Sequence, residues 1–125
     1  MSQSSAQAMT STTPCEIGAL SQCTGRVLRA FGLARVADHM TSDEVLIFLA
    51  LGHLGLTANS RGVVIRPVTC LDLAEMLHIP KETVRRKVAR LADMQLAEAT
   101  TRGVLIKNQD EWRRLAEAIA GQAPY

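Results

Sequence analysis

Apolar positions recur at helical spacing in five stretches of the chain, and two further stretches read as β structure. From Cys15 to about His39, Ile17, Leu20, Val27, Phe31 and Ala34 fall near a three-four spacing that lines one stripe of a helix. Gly18, Gly25 and Gly32 interrupt it, each at a cost of about 1 kcal/mol relative to Ala. The pattern therefore predicts a break near Gly25 or Gly32, or packing close enough to require small residues. Thr41-Ser-Asp-Glu44 is a capping-box pattern that starts a second helix. Its body, Val45 to Leu54, is apolar nearly all round, so it is buried on more than one side, by its own domain or by a second subunit. Asn59-Ser-Arg-Gly62 is turn chemistry, and Val63-Val-Ile65 predicts one short strand.

Thr69 caps a third, short helix with Leu71, Ala74 and Leu77 at helical spacing. His78-Ile79-Pro80 breaks it, and a fourth helix runs from Pro80 to about Met94, because proline suits a first helical turn. Two short helices joined by so tight a turn form a helix-turn-helix unit. Residues 95–99 and 104–106 flank Thr100-Thr-Arg-Gly103 as a hairpin, with Gly103 supplying the positive φ of its turn. A last amphipathic helix follows the cap at Asn108, carrying Trp112 as a core anchor with Leu115, Ala116 and Ile119. The Ser, Thr and Gln of residues 1–14 offer nothing periodic to bury and read as a mobile tail.

Composition narrows the class. With 125 residues, 47% hydrophobic and 21% charged, the chain has room for one modest core and is neither disordered nor collagenous. At 3% aromatics it lacks an extended platform for stacking single-stranded bases or sugars. Three cysteines with no CxxC pair point to a reducing compartment, and neither they nor the three histidines have metal-ligand spacing. Cys23, one turn from Arg26, is expected as a buried, inert thiol rather than a redox switch. No secretory signal pattern opens the chain, and the longest apolar run, Val45 to Leu56, is too short to span a bilayer, so cytoplasmic residence is expected. A phosphate loop, a nucleophile elbow and an HExxH motif are all missing, so the expectation is a protein without enzymatic activity, cofactor or metal.

The net charge of +2 says little, but its distribution says more. Residues 61–125 hold eleven basic and eight acidic groups, and Lys81, Arg85, Arg86, Lys87 and Arg90 stand against Glu82 alone within ten residues. At about 100° per residue, Val84, Val88 and Leu91 share the inward face of the fourth helix, and Glu82, Arg86 and Ala89 point outward. Arg85 and Arg90 flank the outward row, while Lys81 and Thr83 occupy the first turn, where backbone N–H groups favour an anion. A duplex asks for this arrangement: cations at the flanks for phosphate, and an outward row for base edges. Arg86 suits guanine, and Glu82 suits the amino group of cytosine.

The stretch Thr69-CLDLAEMLHIPKETVRRKVARLADMQLA-Glu98, followed by RGVLIKNQDEWRRLAEAI, resembles the winged helix-turn-helix domain of bacterial regulators of the catabolite-activator and fumarate-nitrate-regulator type. The resemblance covers roughly the last 80 residues, from about Val45. The family's recognition helix commonly reads R-E-T-V-S-R, which implies base contacts from Lys81, Glu82 and Arg86 here. Thr69, Thr83, Arg85, Arg90 and Arg102 are then the expected contacts to the DNA backbone. Two positions depart from the pattern, Lys81 for the first Arg and Arg85 for the Ser, so the preferred sequence is expected to differ. With only about 40 residues ahead of the match, the family's sensor barrel is not expected, and GntR-like and MarR-like winged helices stay open as alternatives.

The resulting expectation is a mainly α winged helix-turn-helix with a small β-hairpin wing. A helical extension over residues 15–40, suited to dimerisation, precedes a DNA-binding domain over 41–125. Double-stranded DNA is the expected partner of a homodimeric transcription regulator, a winged-helix protein-interaction adaptor being the alternative.

Overall fold

The computed structural model describes residues 13–121. The chain is mainly helical with two small antiparallel hairpins, in the order α1 (Pro14–Asp38), α2 (Ser42–Gly55), β1 (Leu56–Asn59), β2 (Gly62–Ile65), α3 (Cys70–Leu77), α4 (Lys81–Asp93), β3 (Ala97–Thr100), β4 (Gly103–Ile106) and α5 (Gln109–Ala120). The tail proposed for residues 1–14 lies outside the described residues up to position 12. Its last two members belong to α1: the Thr13 hydroxyl accepts from the Glu16 N–H at 3.1 Å, and Pro14 opens the first turn.

The polar caps expected from the sequence are in place. Thr41 and Glu44 exchange hydrogen bonds at 2.9 and 3.3 Å in a complete capping box. Thr69 accepts from the Asp72 N–H and Asn108 from the Glu111 N–H. Helix α2 is the hub. Its residues Val45, Ile47, Phe48, Ala50 and Leu51 are buried, and it touches α1, α3, α4, α5 and β4. Apolar character all round is thus accounted for within the domain. Leu73 of α3, Val84, Val88 and Leu91 of α4, Val104 and Ile106 of β4, and Leu115 of α5 complete the core around it.

Three expectations need correction. Helix α1 runs unbroken through Gly18, Gly25 and Gly32, and no described residue lies within 4 Å of the Cβ position at Gly18 or Gly32, so among the described residues close packing is not what these two glycines serve. Caps at both ends and packing of its C-terminal half against α5 outweigh the glycine cost. Its buried stripe is also displaced. Ala30 and Ala34 are buried and Val27 and Phe31 half-buried, but Ile17 and Leu20, expected on the same stripe, are 55% and 61% exposed. These two lie on the part of α1 that precedes Arg26, the residue whose Nε donates to the Ile119 carbonyl at the far end of α5. The single strand at 63–65 is half of a hairpin, paired from Leu56↔Ile65 to Asn59↔Gly62, because Leu56-Thr-Ala follow the helix end directly in extended form.

The second hairpin forms as expected, with Ala97↔Ile106 to Thr100↔Gly103 in register and Gly103 at φ 143°. A third strand-like contact was not foreseen: Val68 and Val104 exchange backbone hydrogen bonds of 2.8 and 2.7 Å, which attach the segment before α3 to the hairpin. The approach is close enough that a side chain on Gly103 would meet the Val68 carbonyl at 2.9 Å.

Where α1 ends against α5, Arg114 holds Glu111 in a two-pronged ion pair of 2.6 and 2.8 Å, with Asp38 Oδ2 at 3.9 Å from Arg114. Asp38 Oδ2 is buried without a hydrogen-bond partner among the described residues. Burial, a proton shared with Glu111 and the charge of Glu111 push the Asp38 carboxyl up from 3.8 to about 6, against the pull of Arg114. For Glu111, burial pulls upward too, but hydrogen bonds from Arg114 and Asp38 prevail and hold it below its ordinary value. The folded state therefore binds the Asp38 proton more tightly than the unfolded chain. The stabilisation from that proton is full below 3.8 and lost as pH rises through about 6. Asp38→Asn, which mimics the protonated group, is expected to raise stability by about 1 kcal/mol at neutral pH and to have no effect in acid below the ordinary carboxylate range. Thermal melts of both proteins across this range check it, and a gain that persists unchanged in acid contradicts the assignment.

Candidate nucleic-acid interface

Helix α3 stops at His78, which adopts the left-handed conformation at φ 56° and returns its N–H to the Ala74 carbonyl. Ile79 also donates to Ala74, and α4 starts at Lys81 after the three-residue turn His78 to Pro80. Pro80 is the N-cap of α4 rather than its first helical residue, and no side chain caps that end. The first-turn N–H groups of α4 are thus left to solvent or to an anion.

The inward face of α4 is buried at Val84, Val88 and Leu91. Lys81, Glu82, Arg85, Arg86, Ala89 and Arg90 are exposed, and Thr83 and Lys87 are half-buried. Arg85 forks onto Glu82 with hydrogen bonds of 3.0 to 3.2 Å. Both side chains are about two-thirds exposed, so the pair contributes little stability but holds the two groups together on the outer face. Among the described residues, the side chains of Lys81, Arg86 and Arg102 make no hydrogen bond or ion pair within the chain.

An open groove of about 390 Å³ separates α4 from the second hairpin. Thr69, Arg85 and Arg102 line it together with Ala89 and Thr100. The structure thus brings three of the five expected backbone contacts to one place, while Thr83 and Arg90 stand outside it. Lys81, Glu82 and Arg86, the expected base contacts, lie on the outer face of α4. The Thr69 hydroxyl accepts from the Asp72 N–H at 3.1 Å and keeps its own proton to donate.

One residue central to this surface escaped the sequence reading. Glu44 is fully buried on α2, and beyond its capping bond its Oε2 lies 2.8 Å from Arg90 Nε and 3.4 Å from Lys87 Nζ. Lys87 reaches Thr41 Oγ1 as well. Two cations of the α4 run are therefore partly spent on an internal counter-ion that also ties α4 to α2. Glu44, the acid of the Asp43-Glu44 pair that adjoins the apolar run, was the available signal, since its second oxygen has to meet a donor when the helix is buried.

Of the thiols, Cys15 and Cys23 are exposed and Cys70 is half-buried. Cys23 is therefore not the buried thiol expected, because the early turns of α1 extend past α5. No helix among the described residues is long and apolar enough to cross a membrane. Comparisons with family models, with curated proteins and with solved structures find no match to this chain.

Proposed function

We propose that this protein is a sequence-specific, double-stranded DNA-binding transcription regulator of winged helix-turn-helix architecture, acting as a homodimer in the cytoplasm by occupancy rather than catalysis. In this reading α3 and α4 are the helix-turn-helix, α4 enters the major groove, and the β3–β4 hairpin is the wing. The observation that carries it is the open cationic face of α4: Lys81, Arg85 and Arg86 are exposed, Arg86 has no partner among the described residues, and Arg102 lines the adjoining groove. Lys81, Glu82 and Arg86 read base edges, and Thr69, Thr83, Arg85, Arg90 and Arg102 grip phosphates. Ala89 keeps the middle of the outer face low enough for the helix backbone to approach. Two subunits read half-sites about 34 to 36 Å apart.

Selection of bound sequences from a random duplex pool tests the reading directly, and a pool with no enrichment and no salt-sensitive retention rejects it. On a selected site, Arg86→Ala is expected to cost about 1 to 3 kcal/mol and to relax the choice at one base pair. An equal loss on every sequence makes Arg86 a phosphate contact instead. Arg90→Ala is expected to weaken all duplexes alike and to flatten the salt dependence, measured as the slope of log affinity against log salt.

A second reading, a protein-interaction adaptor, has one observation in its favour, the exposed apolar side chains of α1. Such an adaptor has no reason to lose affinity for duplex steeply with salt, so the same titration separates the two.

A further inference from the structure

Because α2 is satisfied within its own domain, the surplus of apolar surface falls on α1. Ile17, Leu20 and Leu28 are 55%, 61% and 67% exposed, and with Thr24 and the half-buried Phe31 they lie within about 80° of the helix circumference. This stripe is about a quarter turn away from the residues that pack on α5. The turns bearing Ile17 and Leu20 precede Arg26, where α5 ends, and no other element among the described residues covers them. A free helix of about a dozen residues is marginal in water, and this one includes Gly18 and Gly25.

The spacing along the stripe shows what fits it. Ile17, Leu20, Thr24, Leu28 and Phe31 are separated by three, four, four and three residues, a pattern symmetric about Thr24. A two-fold dimer needs a self-complementary patch, in which a residue that meets a second is met by it in return. Laid antiparallel on itself, the stripe matches Ile17 with Phe31, Leu20 with Leu28, and Thr24 with its own copy. Charge follows the same direction. Glu16 is the sole charge of residues 14–25, whereas Arg26, Arg29 and Arg35 occupy residues 26–35. Antiparallel pairing lays the acidic start of one helix over the basic half of the other, and parallel pairing stacks like on like. Gly32, about 40° beyond Leu28 at the edge of the stripe, adds no side chain there to hold a second helix off.

We infer that two copies of this chain associate through an antiparallel pairing of α1 centred on Thr24. The inference deepens the homodimer part of the proposed function and does not depend on DNA binding. Sedimentation equilibrium is expected to give a dimer at micromolar concentration. Leu20→Glu with Leu28→Glu, both at exposed positions, is expected to give a monomer that keeps a cooperative thermal melt and loses helical circular dichroism by no more than the early turns of α1 contribute. Orientation is read by a short bifunctional maleimide in a background carrying Cys15→Ser, Cys23→Ser and Cys70→Ser. There, a mixture of Leu20→Cys and Leu28→Cys chains is expected to cross-link, and Leu20→Cys alone is not.

A wild type that stays monomeric at millimolar concentration overturns the inference, as does a dimer that survives the double glutamate variant or one in which Leu20→Cys links to itself. A monomer that still binds duplex in a salt-sensitive way removes this interface and leaves the DNA reading standing. A dimer that ignores duplex does the reverse.

Discussion

Replacing Glu44 with alanine is expected to lower the unfolding free energy by about 3 kcal/mol, the largest loss available from a single polar side chain in this fold. The carboxylate is fully buried and holds three groups at once: the Thr41 N–H at 2.9 Å, Arg90 Nε at 2.8 Å and Lys87 Nζ at 3.4 Å. Loss of the capping bond alone is worth about 1 kcal/mol, and hydrogen bonds to a charged group are worth about 1.5 to 3. The cost stops short of that for a buried charge left unpaired, because Arg90 is 53% exposed and turns to water when its partner is removed. Urea unfolding gives the number. Glu44→Gln separates the contributions, since its carbonyl oxygen can still accept from Thr41 but no longer carries the counter-charge. A loss below about 1 kcal/mol for the alanine variant is evidence that Glu44 does not tie α4 to α2.

Gly52→Ala is expected to destabilise by about 3 kcal/mol, although alanine is the better helix former by about 1. Gly52 lies in the last turn of α2, buried, and a Cβ there falls inside the indole of Trp112 on α5. The indole has little freedom to retreat, because its Nε1–H donates to the Leu49 carbonyl at 3.1 Å and its ring packs against the core. Overpacking, not propensity, therefore decides the sign. A double-mutant cycle provides the check. In a Trp112→Ala background, itself destabilised by the lost ring, Gly52→Ala is expected to cost nearly nothing or to gain, with a coupling above about 1 kcal/mol. Additive effects contradict the interlock.

Local chemistry carried most of what was readable beforehand. Thr41, Thr69 and Asn108 declared helix starts because a hydroxyl or amide that meets a backbone donor three residues on is a contact within one turn of chain. Val84, Val88 and Leu91 declared the inward face of α4 by spacing alone, and its exposed face followed from the remainder. What escaped depends on partners distant in the sequence. The bonds from Glu44 to Lys87 and Arg90 cross more than forty positions, so an acid opening an apolar helix signals that a donor is needed but not which one. Val68 pairs with Val104 although a single valine before a helix carries no strand signature. In α1, periodicity identified apolar positions correctly but could not say where α5 ends, so Ile17 and Leu20 were placed under cover that the described residues do not supply.

The Val68–Val104 contact has a mechanical consequence. A pair of short hydrogen bonds rivets the residue just before Thr69 to the strand that follows the Arg102 turn. The Thr69 end of the groove and its hairpin wall are thereby clamped together rather than independent flaps. A guest that meets Thr69 and Arg102 at once has to suit the spacing this clamp sets or distort itself.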